Sequence, residues 1–190
     1  AMADAAALEA TGMSAVLGGD QDAVVARLTE LALTPANYNG GGQIVAAGAL
    51  EQLAHLAAEP AAGTRVIPLQ VAGAFHTRFM QPAVEILRTE ASTVISRDPS
   101  LTLWSNRDGS EVTSGASALE LLVGQVANPV RWDLCMAAFA DSGVTGIIEL
   151  APAGTLTGLA KRALRGVPSV AVKTPDDLEA AASLLAGASA

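Results

Sequence analysis

The order of six short segments between residues 13 and 71 restricts the fold more than any other feature of the sequence. Short apolar runs bounded by glycine or proline have the length of β-strands, and longer segments with apolar residues three and four apart have the period of helices. The predicted elements are strand 13–17, helix 23–33 with Asp20 as its N-cap, a hairpin over 36–47 that turns at the three glycines 40–42, helix 49–58 and strand 65–71. This β-α-β-β-α-β order is typical of a ferredoxin-like fold.

The order of the predicted elements changes after Gly73, where strands and helices alternate. The predicted helices are 77–96, 116–126, 132–140, 155–164 and 176–185, the last with Thr174 as its cap, and the predicted strands are 101–104, 145–150 and 169–172. Such alternation favours part of a parallel α/β layer. We therefore expect an α/β protein in three regions. Residues 1–11 end a helix of a large part, residues 12–72 form the ferredoxin-like part, and residues 73–190 continue the large part.

Composition and charge exclude several classes of protein. Hydrophobic residues make up 51% of the 190 and charged residues 16%, which supplies a core and excludes an intrinsically disordered chain. The formal net charge of -8 argues against nucleic-acid binding. No apolar run reaches the roughly 20 residues that span a bilayer, and the first residues do not have the pattern of a signal peptide. The single cysteine, Cys135, indicates a reduced cytoplasmic protein.

Two surface features leave alternatives open. Lys161, Arg162 and Arg165 lie on one predicted helix, which indicates either a solvated helix face or a docking patch for an acidic partner. The sequence alone favours the solvated face. Residues 152–155 connect a predicted strand to a predicted helix, so their free N–H groups belong either to a tight turn or to an anion site. The tight turn is the favoured alternative.

His76 is the first candidate for chemistry. It follows an apolar strand and a short turn and precedes a predicted helix, where functional side chains collect in open α/β sheets. Its imidazole suits a general base or a structural hydrogen bond, and the sequence alone leaves these alternatives even. His55 is favoured as a structural histidine and Cys135 as a buried, inert thiol. The spacing of these residues predicts no metal site. No serine lies in a Gly-x-Ser-x-Gly elbow, so no nucleophile is recognisable.

Four blocks of the sequence resemble malonyl-CoA:acyl carrier protein transacylases, most closely those of actinobacteria. They are residues 35–48, 73–83, which begin Gly-Ala-Phe-His-Thr, 125–132 and 149–159, in the order that the family has them. The resemblance implies an α/β-hydrolase-like core with the ferredoxin-like part inserted in it. It also implies ping-pong transfer of malonyl from malonyl-CoA to the pantetheine thiol of acyl carrier protein, through a seryl ester, in type II fatty-acid biosynthesis.

The same resemblance implies roles for five residues. His76 matches the general base, first for the serine and then for the incoming thiol, and Gln125 matches the residue whose carbonyl orients this histidine in place of a carboxylate. Asn37 and Asn39 match polar positions near the acyl pocket. Phe75 matches a residue associated with malonyl preference, which is smaller in methylmalonyl-specific members. Coenzyme A enters as a thioester substrate, so neither a cofactor nor a metal is implied.

Three features of the family are not found in this sequence. They are the Gly-His-Ser-x-Gly elbow, the Gly-Gln-Gly segment of the oxyanion hole and the arginine that pairs with the malonyl carboxylate. The family has them upstream, so we expect the C-terminal portion of a transacylase that is inactive by itself and monomeric when complete. Two alternatives remain. One is an acyltransferase of a polyketide pathway, and the other, for this chain alone, is a non-catalytic module that binds the carrier protein.

Overall fold

The computed structural model describes residues 1–187. Its internal contacts divide the chain into two units, Ala1–Cys135 and Met136–Ala190. This division rests on contacts, whereas the boundaries expected after residues 11 and 72 rest on the order of elements, so those boundaries stay predictions. Both units contain helices and strands, as expected for the α/β class.

The first unit contains an antiparallel sheet of four strands. Its first seven elements are α1 Met2–Ala6, β1 Thr11–Gly18, α2 Gln21–Glu30, β2 Thr34–Gly40, β3 Gln43–Ala49, α3 Leu50–Ala58 and β4 Thr64–Pro68. The strands lie in the order β2-β3-β1-β4, and each pair of neighbours is antiparallel. The predicted order of strands and helices from residue 13 to residue 71 is therefore present, with β1 starting two residues earlier and β4 ending three residues earlier than predicted.

Local sequence signals explain where α2 begins and where the chain turns between β2 and β3. The Asp20 carboxylate accepts a hydrogen bond from the Ala23 N–H at 2.9 Å, so the predicted N-cap of α2 is confirmed. The hairpin between β2 and β3 turns at Gly41 and Gly42, whose φ angles of 57° and 76° lie in the left-handed region that glycine adopts without strain.

The two faces of the sheet are buried in different ways. One face packs against α2 and α3 in a cluster formed by Val16, Val24, Leu28, Leu33, Ile44, Ala46, Leu53 and Leu56. The other face carries a second cluster formed by Met13, Ala36, Val45, Ala47 and Ala74, with Phe75 and Phe79 packed against it. Because side chains alternate between the faces of a strand, neighbouring residues of β3 belong to different clusters. The second face therefore receives the turn that contains His76.

Three longer helices follow the sheet, and two sequence predictions are wrong here. The elements are a short 3-10 helix Arg78–Met80, α4 Gln81–Ala91, α5 Gly115–Gln125 and α6 Trp132–Asp141. The helix predicted over 77–96 ends early because the hydroxyls of Ser92 and Thr93 donate to backbone carbonyls three residues back, in competition with the helix. No strand forms over the predicted range 101–104. Leu101 is 83% exposed, and the β-pairing of this segment consists of an isolated bridge between Trp104 and Glu111.

The second unit contains one β-α-β unit with parallel strands. Its elements are β5 Ile147–Leu150, α7 Thr155–Ala163, β6 Ser169–Val172, a 3-10 helix Pro175–Asp177 and α8 Leu178–Gly187. β5 and β6 pair in parallel, which is the arrangement expected of a parallel layer, and β6 has its predicted bounds. Thr174 precedes the 3-10 helix rather than α8, and its N–H donates to the Asp177 carboxylate at 2.9 Å.

The turn between β5 and α7 contains a buried carboxylate. Glu149 is 8% exposed and accepts hydrogen bonds from the N–H groups of Gly154, Leu156 and Thr157 at 2.8, 2.9 and 2.9 Å. Burial raises the pKa of Glu149, but these donors and the Thr157 hydroxyl outweigh it and lower the pKa from 4.5 to about 2. Within residues 152–155 the N–H of Gly154 thus binds the chain's own carboxylate, together with the N–H groups of Leu156 and Thr157 just beyond, which favours the tight turn over an anion site.

We expect the Glu149→Gln substitution to lower the free energy of unfolding by about 2–3 kcal/mol at pH 7, because the amide is neutral and only its oxygen accepts, so at least one of the three N–H donors loses its acceptor. A depressed carboxylate pKa stabilises the fold fully above the unfolded value of 4.5 and progressively less as the pH falls towards about 2. Denaturant unfolding at several pH values between 7 and 3 measures the difference. Glu179→Gln, an exposed glutamate in the first turn of α8, is the control, and a loss independent of pH contradicts this account.

Candidate active site

The backbone of His76 is held in an unusual conformation. Its φ of 61° lies in the left-handed region, which costs a non-glycine residue about 1–2 kcal/mol although histidine tolerates it better than most. The His76 N–H donates to the Val126 carbonyl at 3.0 Å. Such strain persists only where surrounding interactions impose it, and it is concentrated at functional sites. The conformation therefore supports a functional role for this turn.

The imidazole of His76 is fixed by a second backbone carbonyl. Its Nδ1 lies 2.8 Å from the carbonyl oxygen of Gln125, and the side chain is half-buried. Because a carbonyl oxygen only accepts, Nδ1 carries the hydrogen and donates it, which leaves the lone pair on Nε2. The expected hydrogen bond between these two residues is therefore present, and the geometry leaves Nε2 able to accept a proton.

The side chain of Gln125 does not contact His76 through any described hydrogen bond but bonds the backbone that follows α5. Its Nε2 donates to the carbonyls of Asn128 and Pro129 at 2.9 and 3.0 Å. The next residue, Val130, then pairs with the edge strand β2: its N–H donates to the Ala36 carbonyl and its carbonyl accepts from the Tyr38 N–H, both at 2.8 Å. Residues 125–130 thus connect the imidazole of the site to the sheet.

The two predicted asparagines occupy different positions on β2. Asn37 pairs with Val45 and forms a bridge with Val130. Since cross-strand partners share a face of the sheet, Asn37 lies on the same face as Val45. The cluster on this face also contains Ala74, the residue before Phe75 and His76. Asn39 lies at a register shift between Tyr38 and Gly40. The structure therefore brings Asn37 to the same face as the histidine turn, whereas Asn39 lies at an irregularity of the strand.

Phe75 packs against two of the core clusters. Its half-buried ring contacts the sheet cluster that contains Val45 and also a cluster formed by Ala5, Ala6, Met80 and Ala83. Phe75 therefore contributes to packing, which is the structural alternative for this residue. A role in selecting the acyl group is compatible with this position and stays a prediction.

Arg131 is a residue of this region that the sequence reasoning missed. Its guanidinium donates to the Asp133 carboxylate at 2.9 and 2.8 Å and lies over the Tyr38 ring, 4.6 Å from the centroid. Burial raises the pKa of Tyr38, and the positive charge of Arg131 partly offsets this effect. The arginine and aspartate two positions apart are visible in the sequence, whereas the contact with Tyr38 depends on the pairing of Val130 with β2.

The two remaining candidates differ: Cys135 has the buried surroundings that the sequence favoured, whereas no hydrogen bond described for His55 supports a structural role for its side chain. Cys135 is buried, its thiol donates to the Ser105 carbonyl at 3.3 Å, and burial raises the pKa of the thiol, so it is not an activated nucleophile. His55 is exposed on α3. Among residues 1–187, no group of three or more His, Cys, Asp or Glu side chains is placed to hold a metal ion. Within the same range, no helix is long and apolar enough to cross a membrane.

The sequence predicted three basic residues on one helix, but the structure places only two of them on α7. Lys161 and Arg162 are in the last turn of α7, which ends at Ala163, so Arg165 lies beyond it. All three residues are exposed. The choice between a solvated face and a docking patch stays open.

The chain is similar in sequence to several known proteins. The family model described as acyl transferase domain matches residues 2–182. A curated malonyl CoA-acyl carrier protein transacylase from Mycobacterium tuberculosis is 56% identical over 183 residues, which are 96% of this chain and 61% of the relative. The protein of the same name from Escherichia coli is 33% identical over 93% of this chain and 59% of the relative. The chain therefore spans about three fifths of the length of these relatives.

Solved structures are also similar to the chain. The crystal structure of MCAT from Mycobacterium tuberculosis has a TM-score of 0.91 at 56% identity and covers 94% of this chain and 59% of that protein chain. A malonyl-transacylase in complex with its type II PKS acyl-carrier protein has a TM-score of 0.84 at 28% identity, over 95% of this chain and 60% of that one. The α/β fold predicted from the sequence is confirmed by these similarities.

We expect the Arg131→Gln substitution to raise the pKa of Tyr38 further, because removing the positive charge over the ring destabilises the tyrosinate form. Tyr38 is the only tyrosine of the chain, so its ultraviolet absorbance during a pH titration reports this group directly. Arg107→Gln is the matched control, since Arg107 also pairs with a neighbouring aspartate, Asp108, and is exposed. An unchanged or lowered pKa in Arg131→Gln is the outcome that contradicts the prediction.

Proposed function

The chain belongs to the acyl transferase domain family, and on this premise we propose that it carries the general base of a malonyl-CoA:acyl carrier protein transacylase. The observation that carries the proposal is the geometry of His76, with Nδ1 donating to the Gln125 carbonyl at 2.8 Å and the Nε2 lone pair left for a proton. The relatives of that name support the substrate and the acceptor. Because the chain spans about three fifths of their length, we propose the reaction for a protein of the relatives' length that contains this chain.

The proposed architecture has two parts, an α/β-hydrolase-like core and a ferredoxin-like subdomain. The strand order β2-β3-β1-β4, with α2 and α3 covering one face, supports a ferredoxin-like subdomain over residues 12–72. The parallel β5-α7-β6 unit supports the assignment of residues 73–190 to the core, and residues 1–11 are proposed to end a helix of the same core.

In the first half of the proposed reaction, malonyl moves from coenzyme A to a serine. Nε2 of His76 takes the hydroxyl proton as the serine oxygen attacks the thioester carbonyl, and the Gln125 carbonyl keeps the ring in place. When the carbon–sulfur bond breaks, the imidazolium returns the proton to the departing thiolate. This chain has no Gly-x-Ser-x-Gly elbow, so the serine is proposed to lie in a part of the protein outside this sequence. The chain alone is proposed to be inactive.

In the second half, the pantetheine thiol of acyl carrier protein takes the malonyl group. Nε2 accepts the thiol proton as the sulfur attacks the seryl ester, and the serine oxygen recovers a proton when its bond to the acyl carbon breaks. Asn37 and Asn39 are proposed to line the acyl pocket together with Phe75. Coenzyme A takes part only as a thioester, and the proposed reaction uses neither a metal nor a further cofactor. The proposed pathway is type II fatty-acid biosynthesis, and the complete enzyme is proposed to act as a monomer.

Two other functions have an observation in their favour. A polyketide pathway is supported by the similar malonyl-transacylase whose structure includes a type II PKS acyl-carrier protein. A carrier-binding module without catalysis is supported, for this chain alone, by the lack of a serine elbow in its sequence. The position of His76 favours an enzyme over a module, since a left-handed histidine hydrogen-bonded at Nδ1 is prepared for proton transfer.

The test of the proposed function is the His76→Ala substitution in the whole protein. Removal of a general base is expected to lower kcat for malonyl transfer to acyl carrier protein by about 100-fold or more. His55→Ala is the matched control because the second histidine is exposed on α3, and it should keep the parental rate. A His76→Ala variant that folds and transfers malonyl at the parental rate rules out the assignment.

We further expect Phe75→Ser in the whole protein to raise kcat/KM for methylmalonyl-CoA relative to malonyl-CoA, because a smaller side chain makes room for one more methyl group. One methyl or methylene group more or less changes the discrimination between two substrates by about 1–3 kcal/mol. The substitution should also lower the free energy of unfolding by about 2–3 kcal/mol, since Phe75 packs against two clusters.

A matched variant separates these two effects. Phe79 also packs half-buried against the sheet cluster, so Phe79→Ser should lower the melting temperature without changing the ratio of the two thioesters. If Phe75→Ser behaves in the same way, Phe75 is only a packing residue.

A further inference from the structure

Thr77 follows His76 directly and forms hydrogen bonds on both sides of it. The side chain is 1% exposed. Its hydroxyl donates to the Ala74 carbonyl at 2.6 Å and accepts from the Phe79 N–H at 3.2 Å. The two bonds join the residue two positions before His76 to the residue three positions after it. They therefore close the turn around the histidine.

A second buried threonine bonds the other backbone group of the same residue, Ala74. Thr11, at the start of β1, accepts a hydrogen bond from the Ala74 N–H at 3.0 Å. Ala74 is itself fully buried, so its N–H and carbonyl groups both depend on threonine hydroxyls for their partners. Through Ala74, the histidine turn is attached to β1, the strand that pairs with both β3 and β4.

These bonds bear on the conformation of His76. Its left-handed φ of 61° is unfavourable for a residue with a side chain, and its own backbone N–H makes one bond, to Val126. If the carbonyl of Ala74 loses its donor, the turn is free to relax towards an ordinary φ, and the imidazole then moves away from the Gln125 carbonyl. The hydroxyl of Thr77 opposes that relaxation because it holds the turn closed at both ends.

We infer that Thr77 is a positioning residue for His76, which acts through the turn and sets the tautomer of the imidazole. The importance of this role for catalysis rests on the proposed function of His76 as a base. The Thr77 hydroxyl serves as both donor and acceptor, so serine preserves the role, whereas valine, which has nearly the same shape, removes it. Retention by serine and loss in valine distinguish the hydroxyl from the packing of the methyl group.

The experiment compares Thr77→Val, Thr77→Ser and Thr93→Val in this chain by NMR of the imidazole nitrogens. Thr93 is the matched control, because its hydroxyl also donates to a carbonyl three residues back, that of Glu90, but on an exposed surface. The chain has two histidines, and the exposed His55 serves as an internal reference. Spectra are recorded at about pH 8.5, where free imidazole is neutral.

The proposal predicts a Nδ1–H tautomer for His76 in the parent, in Thr77→Ser and in Thr93→Val. In Thr77→Val, the nitrogen shifts of His76 should move to the averaged positions of His55. The proposal is overturned if Thr77→Val keeps the parental His76 shifts, if Thr77→Ser loses them as valine does, or if Thr77→Val loses the dispersed spectrum as a whole. The last result assigns the hydroxyl to general stability.

This measurement is independent of acyl transfer. If His76→Ala leaves malonyl transfer unchanged in the whole protein, the proposed function fails, and the effect of Thr77 on the tautomer is still decided by the spectra. If the function holds and the spectra do not change, the role of Thr77 alone is rejected. In the whole protein, the positioning role further predicts that Thr77→Val lowers kcat with little change in KM for malonyl-CoA, and that Thr77→Ser restores it.

Discussion

The backbone hydrogen bonds of residues 125–130 hold the candidate site together. The carbonyls of Gln125 and Val126 accept from the ring and the N–H of His76, and Val130 pairs with the edge strand β2. Because these are backbone groups, the geometry of the site depends on the path of the chain between α5 and α6. A substitution at Gln125 leaves its carbonyl in place and acts through the side-chain bonds to Asn128 and Pro129.

One buried polar cluster in each unit, around Glu149 and around the histidine turn, is paired within the chain, with different consequences for function. At the start of α7, the helix N–H groups bind the Glu149 carboxylate, so these donors are not available to an external anion. At the histidine turn, every described bond serves the backbone or Nδ1 and leaves Nε2 of His76 for a reactant. The first arrangement stabilises a turn, and the second prepares a group for chemistry.

The sequence predicted the elements that depend on local signals. The strands and hairpin of the sheet, the Asp20 cap and β6 were recognisable because each is marked by its own residues and their immediate neighbours. Strand 101–104 was wrong because an apolar run becomes a strand only if another strand pairs with it. His76 was identified from its position after a strand, whereas Gln125 came from the resemblance. Thr77 was overlooked because its bond to Ala74 exists only in a turn with a left-handed residue, which no local pattern announces.

A neutral carbonyl beside the imidazole separates two tasks that a carboxylate performs together. A carboxylate orients a histidine and also stabilises the imidazolium by its charge, whereas the Gln125 carbonyl offers orientation and only the negative end of a dipole. In the proposed second half the attacking group is a thiol, which ionises with an ordinary pKa of about 8.5, whereas in the first half Nε2 must take the proton of a serine hydroxyl, which is far less acidic. Both halves require Nε2 to point at the reacting group, so the orientation that the Gln125 carbonyl imposes on the ring serves both. The left-handed backbone of His76 and the bond from its N–H to the Val126 carbonyl fix the position from which the ring reaches that carbonyl.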